Sequence, residues 1–301
     1  MIVALTGATG FVGQAVVDAA GRAGIRVRAL TRRPQEPRAG LTWIEGSLSD
    51  AASLKSLCNG ADCTIHVAGL TNTPDPREFE EANVTGTRRL IHAAKSAGVS
   101  RFVFTSSLSA REPSLSLYGA SKANAEAHVE TSGLDFSIVR PPAVYGPRDK
   151  DMFDLFRAAK YGVVPVPPKG RTSIIHVDDL AECLLALAPA QVATGATLEP
   201  DDGKPGGYEH GDLARLIGQS VGRKVFAPHL PRALLTIAAR GDKLVRGDQA
   251  KLTIDRVGYM AHPDWVCRPE RAVPADIWTP RIDGLDGLTM TARWYEREGW
   301  L

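Results

Sequence analysis

The segment LYGASKANAEAH, residues 117–128, carries a tyrosine, Tyr118, and a lysine, Lys122, four positions apart. Alanine, glutamate and lysine dominate around them and no proline interrupts. The spacing therefore predicts a helix with both side chains on one face, one turn apart. A phenol ordinarily ionises near pH ~10, too high for an efficient acid–base group near neutrality. A neighbouring ammonium favours the phenolate and lowers that value. The pair alone is a weak signal, because a surface helix also places such residues side by side by chance. Upstream, FVFTSSLSA (102–110) sets Thr105, Ser106, Ser107 and Ser109 just after an apolar run. Hydroxyls at a strand end can polarise a substrate oxygen, or can simply satisfy their own turn.

A third constellation lies at the N-terminus. TGATGFVG (6–13) follows the β-branched run IVALT and opens a helical pattern. Gly7 permits a tight turn, Gly10 lets backbone approach a pyrophosphate, and Gly13 allows close helix–strand packing. The helix start supplies free N–H groups and partial positive charge to an anion. Thr9, Phe11 and Val12 complete this cofactor-binding loop. The strand–turn–helix context separates it from a plain glycine turn.

These residues need a scaffold, and the first two-thirds of the chain spells one. IVALT (2–6), RVRAL (26–30), LTWIE (41–45), CTIHV (63–67), RFVFT (101–105) and FSIVR (136–140) read as strands, with helical stretches between them. Nearly continuous apolar strands alternating with helices imply an α/β fold, a doubly wound parallel sheet of Rossmann type. After residue 145 the rhythm breaks at YGPRDKD, GVVPVPPKG (162–170) and PDDGKPGG (200–207). We expect a Rossmann domain over 1–145 plus 176–199, a smaller substrate-binding lobe over 146–175 plus 200–285, and a C-terminal helix over 286–301.

Composition bounds the rest. A net charge of +2 with scattered arginines gives no reason to expect nucleic acid. No apolar run is long enough to span a bilayer, and MIVALTG enters a strand pattern directly, with no basic segment and no cleavage site. Cys58, Cys63, Cys183 and Cys267 show no C-x-x-C pattern and read as reduced thiols of a cytoplasmic protein. The dispersed histidines predict no metal site.

The glycine spacing is G-x-x-G-x-x-G. With NVTGTRRLIHAAKSAGVSRFVFTSS (83–107), YGASK (118–122), RPPAVYGP (140–147), IHVDDLA (175–181) and the closing GLTMTARWYEREGWL, the chain resembles the extended, epimerase/dehydratase-like branch of the short-chain dehydrogenase/reductase superfamily. The resemblance spans nearly the whole chain, motif after motif in order. It implies that Tyr118 is the general acid/base, that Lys122 lowers its pKa and holds the nicotinamide ribose, and that Ser107 bonds the substrate oxygen, with Ser106 the substitute. It further implies cofactor contacts from Thr105, Ser106, Val67, Ala68, Gly69, Asn83, Pro141, Pro142 and Val144. Dimerisation is common in the superfamily, so a homodimer is an expectation of the same kind.

The residue ending the second strand discriminates between nicotinamide cofactors: an acid holds the ribose 2′-hydroxyl and arginine a 2′-phosphate. Here Thr31 takes that position and Arg32 and Arg33 follow, which favours NADP(H) over NAD(H). Ser47 replaces the aspartate of a "GDL" motif that contacts adenine, while Leu48 is retained to pack on the ring. Asp178 and Asp179 suit a helix first turn as caps.

Three functions compete. The first is an NADP(H)-dependent oxidoreductase acting on a carbonyl or secondary alcohol of a small molecule. The second is a sugar-nucleotide epimerase or dehydratase with retained NAD. The third is a non-catalytic dinucleotide-binding subunit. The Ser107, Tyr118 and Lys122 set argues against the third. The missing acid after the second strand argues against the second. So does Thr172, which stands where sugar-nucleotide enzymes carry a diphosphate-binding arginine, with Arg171 one step off. The lobe's GVVPVPP, Trp265 and Trp278 suit an apolar substrate or ordinary packing, and packing is the simpler reading.

Overall fold

The apolar runs of the first two-thirds of the chain form strands, and the stretches between them form helices, in the computed structural model, which describes residues 1–301. The chain begins β1 (Ile2–Thr6), α1 (Phe11–Arg22), β2 (Arg26–Thr31), β3 (Leu41–Glu45), α2 (Ala51–Cys58), β4 (Cys63–His66) and α3 (Pro76–Phe79). A π-helical turn, Glu80–Thr85, leads into α4 (Gly86–Ser96), followed by β5 (Arg101–Thr105), α5 (Leu117–Glu130) and β6 (Asp135–Val139). Next come β7 (Ala143–Tyr145), α6 (Phe153–Lys160), β8 (Arg171–Thr172), β9 (Ile174–His176), α7 (Val177–Ala186) and β10 (Ala196–Leu198). The chain closes with β11 (Tyr208–Glu209), α8 (His210–Ser220), α9 (Arg232–Arg246), α10 (Ile254–Met260), β12 (Asp264–Trp265) and α11 (Gly284–Arg297). No helix is long and apolar enough to cross a membrane.

Two compact units emerge. The first comprises Met1–Arg140, Leu180–Glu199 and Val273–Thr279. Its seven-stranded sheet runs β10-β6-β5-β4-β1-β2-β3, and every pair is parallel. This is the doubly wound arrangement that the alternating pattern predicts. Every residue of β4 and β5 is buried, which is why both read as largely apolar runs with no alternation. Leu54, Leu57, Leu90, Phe102, Phe104 and Ile138 form the core on one side, each side chain contributing about 1.5–3 kcal/mol by burial. Arg101 is the exception in β5. Its guanidinium is fully buried yet satisfied by Asp135 Oδ1 at 2.9 Å, Ser137 Oγ at 2.7 Å and the carbonyls of Leu187 and Val192.

The second unit comprises Pro141–Asp179, Pro200–Ala272 and Pro280–Leu301. It carries the parallel pair β7–β9 and a small sheet ordered β11-β8-β12. Its core joins Tyr145, Phe156, Ile174, Ile217, Leu288 and Tyr295. Tyr295 stacks on Trp300 at 5.6 Å and meets Phe153 edge-on at 5.1 Å. α11 starts at its N-cap Asp283, whose carboxylate accepts from Asp286 N at 2.9 Å. The closing helix thus lies inside the second unit. Trp265 is held by its indole N–H on Tyr259 O at 2.7 Å, whereas Trp278 belongs to the first unit.

One polar chain threads the first unit's core. Ala68 N–H donates to Thr6 Oγ1 at 3.3 Å, and Thr6 Oγ1 lies 2.6 Å from His66 Nδ1. His66 Nε2 lies 2.9 Å from Thr87 Oγ1, which itself donates to Asn83 O at 2.6 Å. The threonine roles fix the tautomer: Nδ1 accepts and Nε2–H donates. Burial, and secondarily the Lys122 charge, lowers the His66 pKa from 6.5 to about 3. Between those values the unfolded chain binds a proton that the folded chain refuses, so folding stability falls as pH drops from 6.5 toward 3. Urea midpoints across that range test this. His66→Leu is expected to flatten the slope, and to cost about 1–3 kcal/mol at neutral pH by stranding Thr6 and Thr87.

Candidate functional site

The sheet order reverses between β1 and β4, and α/β folds bind ligands outside the strand ends at such a point. The glycine loop leaves β1 here. Gly7 has φ +76°, and a Cβ on it would lie 2.7 Å from Ala68 N. Only a bare backbone can therefore sit against Val67 and Ala68, the residues leaving β4. Gly10 N donates to Gly7 O at 2.9 Å, and Gln14 Nε2 closes the loop on Thr9 O at 2.8 Å. A Cβ on Gly13 would fall 2.0 Å from Gly7 O, so α1 packs against the turn only through glycine. Thr9 and Gly10 are exposed, and Phe11 and Val12 half-buried. No side chain caps α1 and no acid occupies its first turn. This cradle fits a dinucleotide pyrophosphate: open backbone, an uncapped helix start and no competing carboxylate.

Asn83 sits in the π-helical turn, which rotates one residue out of α-helical register. Its side chain clasps Leu70, accepting from N at 2.7 Å and donating to O at 2.9 Å, and it donates to Ser121 Oγ at 2.9 Å. It thereby pins the segment after Gly69 to α5. A Cβ on Gly69 would lie 3.0 Å from Asn83 Oδ1 and 3.8 Å from Lys122 Nζ, so all three meet.

α5 begins at Ser116, whose Oγ accepts from Gly119 N at 2.9 Å. Tyr118 follows on the first turn, half-buried, its ring 6.2 Å from that of Phe79. One turn on, Lys122 is buried. Its Nζ donates to Thr105 O at 2.8 Å and stands 4.3 Å over the Phe104 ring. Burial lowers its pKa from 10.5 to about 8, against the opposing pull of Glu126. Gly119 has its own reason: a Cβ there would lie 2.7 Å from Ser109 O. α5 can therefore press its first turn against the serine-rich turn.

Within that turn the two serines differ. Ser106 Oγ donates to Glu126 Oε1, which also takes Arg140 Nε at 2.9 Å, while Oε2 takes Arg140 Nη2 at 2.5 Å. Ser106 is thus tied into a buried ion pair and offers its surroundings no free hydroxyl. Ser107 is half-buried, and its Oγ accepts from Ser109 N at 3.2 Å and Ser109 Oγ at 2.9 Å. Both bonds use its lone pairs, so its own proton remains to donate. Thr105 Oγ1 is buried with no protein partner.

After β2, Thr31 Oγ1 donates to Arg33 O at 2.6 Å and accepts from Arg33 N at 3.3 Å. This turn leaves the Arg32 and Arg33 side chains exposed and free of ion pairs. Ser47 Oγ lies 2.8 Å from Ser49 Oγ, a local contact, and Leu48 packs where a Cβ on Gly86 would approach it to 2.9 Å.

The first unit thus brings together Gly7 to Gly13, Val67 to Gly69, Asn83, Thr105 to Ser107, Tyr118 and Lys122. Pro141, Pro142 and Val144 belong to the second unit. There, Arg171 is occupied: Nε donates to Gly206 O at 2.7 Å, Nη2 to Gly207 O at 3.2 Å, and Nη1 pairs with Glu209 at 3.4 Å. The two aspartates stand in the first turn of α7, as the sequence predicts. His176 Nδ1 accepts from Asp178 N at 3.3 Å, so the imidazole caps α7. Asp179 instead receives the backbone N–H groups of Arg281 and Ile282 at 3.1 and 2.9 Å. Sequence reasoning missed the π-turn, the His66 chain and the Glu126–Arg140 fork, none of which has a local spacing signature.

The family model described as the NAD dependent epimerase/dehydratase family matches residues 3–197. A ceramide reductase of Caulobacter vibrioides is 36% identical over 313 aligned positions, covering 100% of this chain and 96% of that protein. A 4-hydroxy-2-methyl-3-oxo-4-farnesyl-3,4-dihydroquinoline-1-oxide ketoreductase of Stigmatella aurantiaca is 30% identical over 273 positions, with 80% of each chain covered. Among solved structures, MoeE5 in complex with UDP-glucose and NAD superposes with a TM-score of 0.76 over 99% of both chains; at 23% identity this is a likeness of fold. Motifs, sheet order and matched length agree: the chain belongs to the NAD dependent epimerase/dehydratase family, in the extended branch of the short-chain dehydrogenases/reductases.

Proposed function

We propose that this protein is an NADP(H)-dependent oxidoreductase acting on a carbonyl or secondary alcohol of an apolar small molecule, with Tyr118 as general acid/base. The observation that carries the reading is Lys122, a buried ammonium one helical turn from Tyr118 and anchored on Thr105 O. When bound, the nicotinamide supplies the two-electron redox partner. The Gly7–Gly13 loop and the start of α1 would hold its pyrophosphate, and Arg32 and Arg33 a 2′-phosphate. In reduction, Tyr118 gives its phenolic proton to the carbonyl oxygen and Lys122 stabilises the phenolate left behind. Ser107 donates its remaining proton to the same oxygen and holds it in place. The reverse reaction runs the same transfers backward.

Two further points support reduction over sugar-nucleotide isomerisation. The full-length relative and the quinoline-oxide relative are both named as reductases of apolar compounds. Arg171, the candidate diphosphate ligand, spends its guanidinium on Gly206, Gly207 and Glu209.

Tyr118→Phe is expected to lower kcat by about 10²–10⁴-fold while leaving dinucleotide affinity nearly unchanged. Normal turnover by that variant would sink the assignment. Replacing Arg32 and Arg33 together by serine is expected to weaken NADPH binding about 10–100-fold and leave NADH alone, read by fluorescence titration. NAD that stays bound through purification would overturn the reductase reading. Because Lys122 loses its proton near pH 8, carbonyl reduction is expected to decline as pH rises through that value. Rates in buffers either side of it provide the check.

A further inference from the structure

α9 turns an apolar face to solvent. Its inner side is narrow: Leu235 and Ala239 pack with Leu230, Leu252 and Val257. Its outer side carries Leu234, Ile237, Leu244 and Val245, which are 49%, 63%, 87% and 85% exposed. With Gly241 between them, these residues recur at steps of three and four and so form one stripe. No charge interrupts the stripe. Arg240 and Asp242 border it, one on either side, while Arg232, Lys243 and Arg246 lie on the other half of the helix. Asp242 is engaged by Arg246 at 3.2 Å and by the backbone of Lys251 and Leu252, whereas Arg240 and Lys243 form no ion pair. Phe226, 70% exposed, lies just upstream.

The charge of this stretch is as uneven as its polarity. Residues 223–246 hold six of the 36 Lys and Arg and one of the 34 Asp and Glu. They contribute +5 to a chain whose net charge is +2, so the remaining residues sum to −3. A stripe of large aliphatic residues on a helix whose remaining surface is cationic has two requirements, an apolar boundary and negative charge. An anionic bilayer surface meets both, because apolar side chains enter the headgroup–acyl boundary while flanking cations meet lipid phosphates. A second copy of the same face meets only the first requirement and sets like charge against like.

We propose that α9 is a docking helix that lies in the plane of an anionic lipid surface, with Leu234, Ile237, Leu244 and Val245 inserted, Arg240 beside the headgroups and Lys243 above them, within a Debye length of their charge. Attachment is peripheral, since α9 is about 22 Å long and no helix can cross a membrane. The docking stands apart from the catalytic reading, because no α9 residue belongs to the candidate site.

The test is co-sedimentation of the full chain with vesicles of phosphatidylcholine alone and of phosphatidylcholine mixed with phosphatidylglycerol. Binding is expected to the mixed vesicles, little to the neutral ones, and less as salt rises. Replacing Arg240 and Lys243 by serine is expected to cut partition about fivefold each, at about 1 kcal/mol per basic residue. Leu244→Gln with Val245→Gln is expected to abolish it. Both variants should keep the parent's melting temperature and its turnover of a water-soluble carbonyl compound, which reads the catalytic proposal separately. Absent binding, equal binding to neutral vesicles, or variants that bind like the parent would overturn docking. So would a dimer that these substitutions dissociate, which would assign the face to a second copy.

Discussion

The carboxyl ends of β1 and β4 meet with almost no space between them, and the chemistry-bearing part of the first unit depends on that contact. A Cβ on Gly7 would reach Ala68 N at 2.7 Å, and one on Gly13 would reach Gly7 O at 2.0 Å. The phosphate loop, the segment after β4 and the start of α1 can occupy their places only as bare backbone. The Thr6–His66–Thr87 chain then carries the same contact through the core to Asn83 O. Asn83 in turn clasps Leu70 and Ser121, so the loop and the helix bearing Tyr118 and Lys122 share one connected set of hydrogen bonds. Every buried polar group in that chain has a partner, which keeps it stabilising.

The strands were legible because burial on both faces leaves no alternation to misread: β4 and β5 are apolar or small at nearly every position. The glycine loop was legible because each glycine serves a turn or a close approach that no other residue tolerates. Gly119 follows the same rule but was read only as part of a motif, since its neighbour Ser109 O is remote from it in helical spacing. The π-turn was invisible, because one extra residue in a helical stretch leaves composition and period almost unchanged. Arg101 gave no signal of its partners either. An arginine in an apolar run suggests an edge, yet this one is fully buried, because Asp135, Ser137 and two carbonyls supplied by distant parts of the chain close around it.

The serines show where spacing stops and geometry begins. Adjacent in sequence, Ser106 and Ser107 carry the same hydroxyl, and the resemblance admits either at the substrate. Alternation along the extended chain sends them in opposite directions. Ser106 meets the Glu126 carboxylate, which Arg140 grips with two donors. That fork neutralises a buried carboxylate one turn beyond Lys122, and removing either partner would leave an uncompensated charge in the interior. Ser107 faces the other way and keeps a proton to give.

Lys122 carries the tension between stability and chemistry. Burying an ammonium is unfavourable, and the drop of its pKa to about 8 measures how strongly its surroundings resist the charge. Thr105 O, the Phe104 ring face and the more distant Glu126 supply only partial relief. A lysine kept on the surface for stability alone would be fully solvated and would exert little influence on a neighbouring phenol, because water screens it. Desolvation removes that screening and at the same time lowers the Lys122 pKa to about 8. In the proposed reaction this makes the influence of the ammonium on Tyr118 strong while it is protonated and titratable near pH 8. The burial that destabilises the helix is therefore the same feature on which the proposed acid–base role of Tyr118 rests.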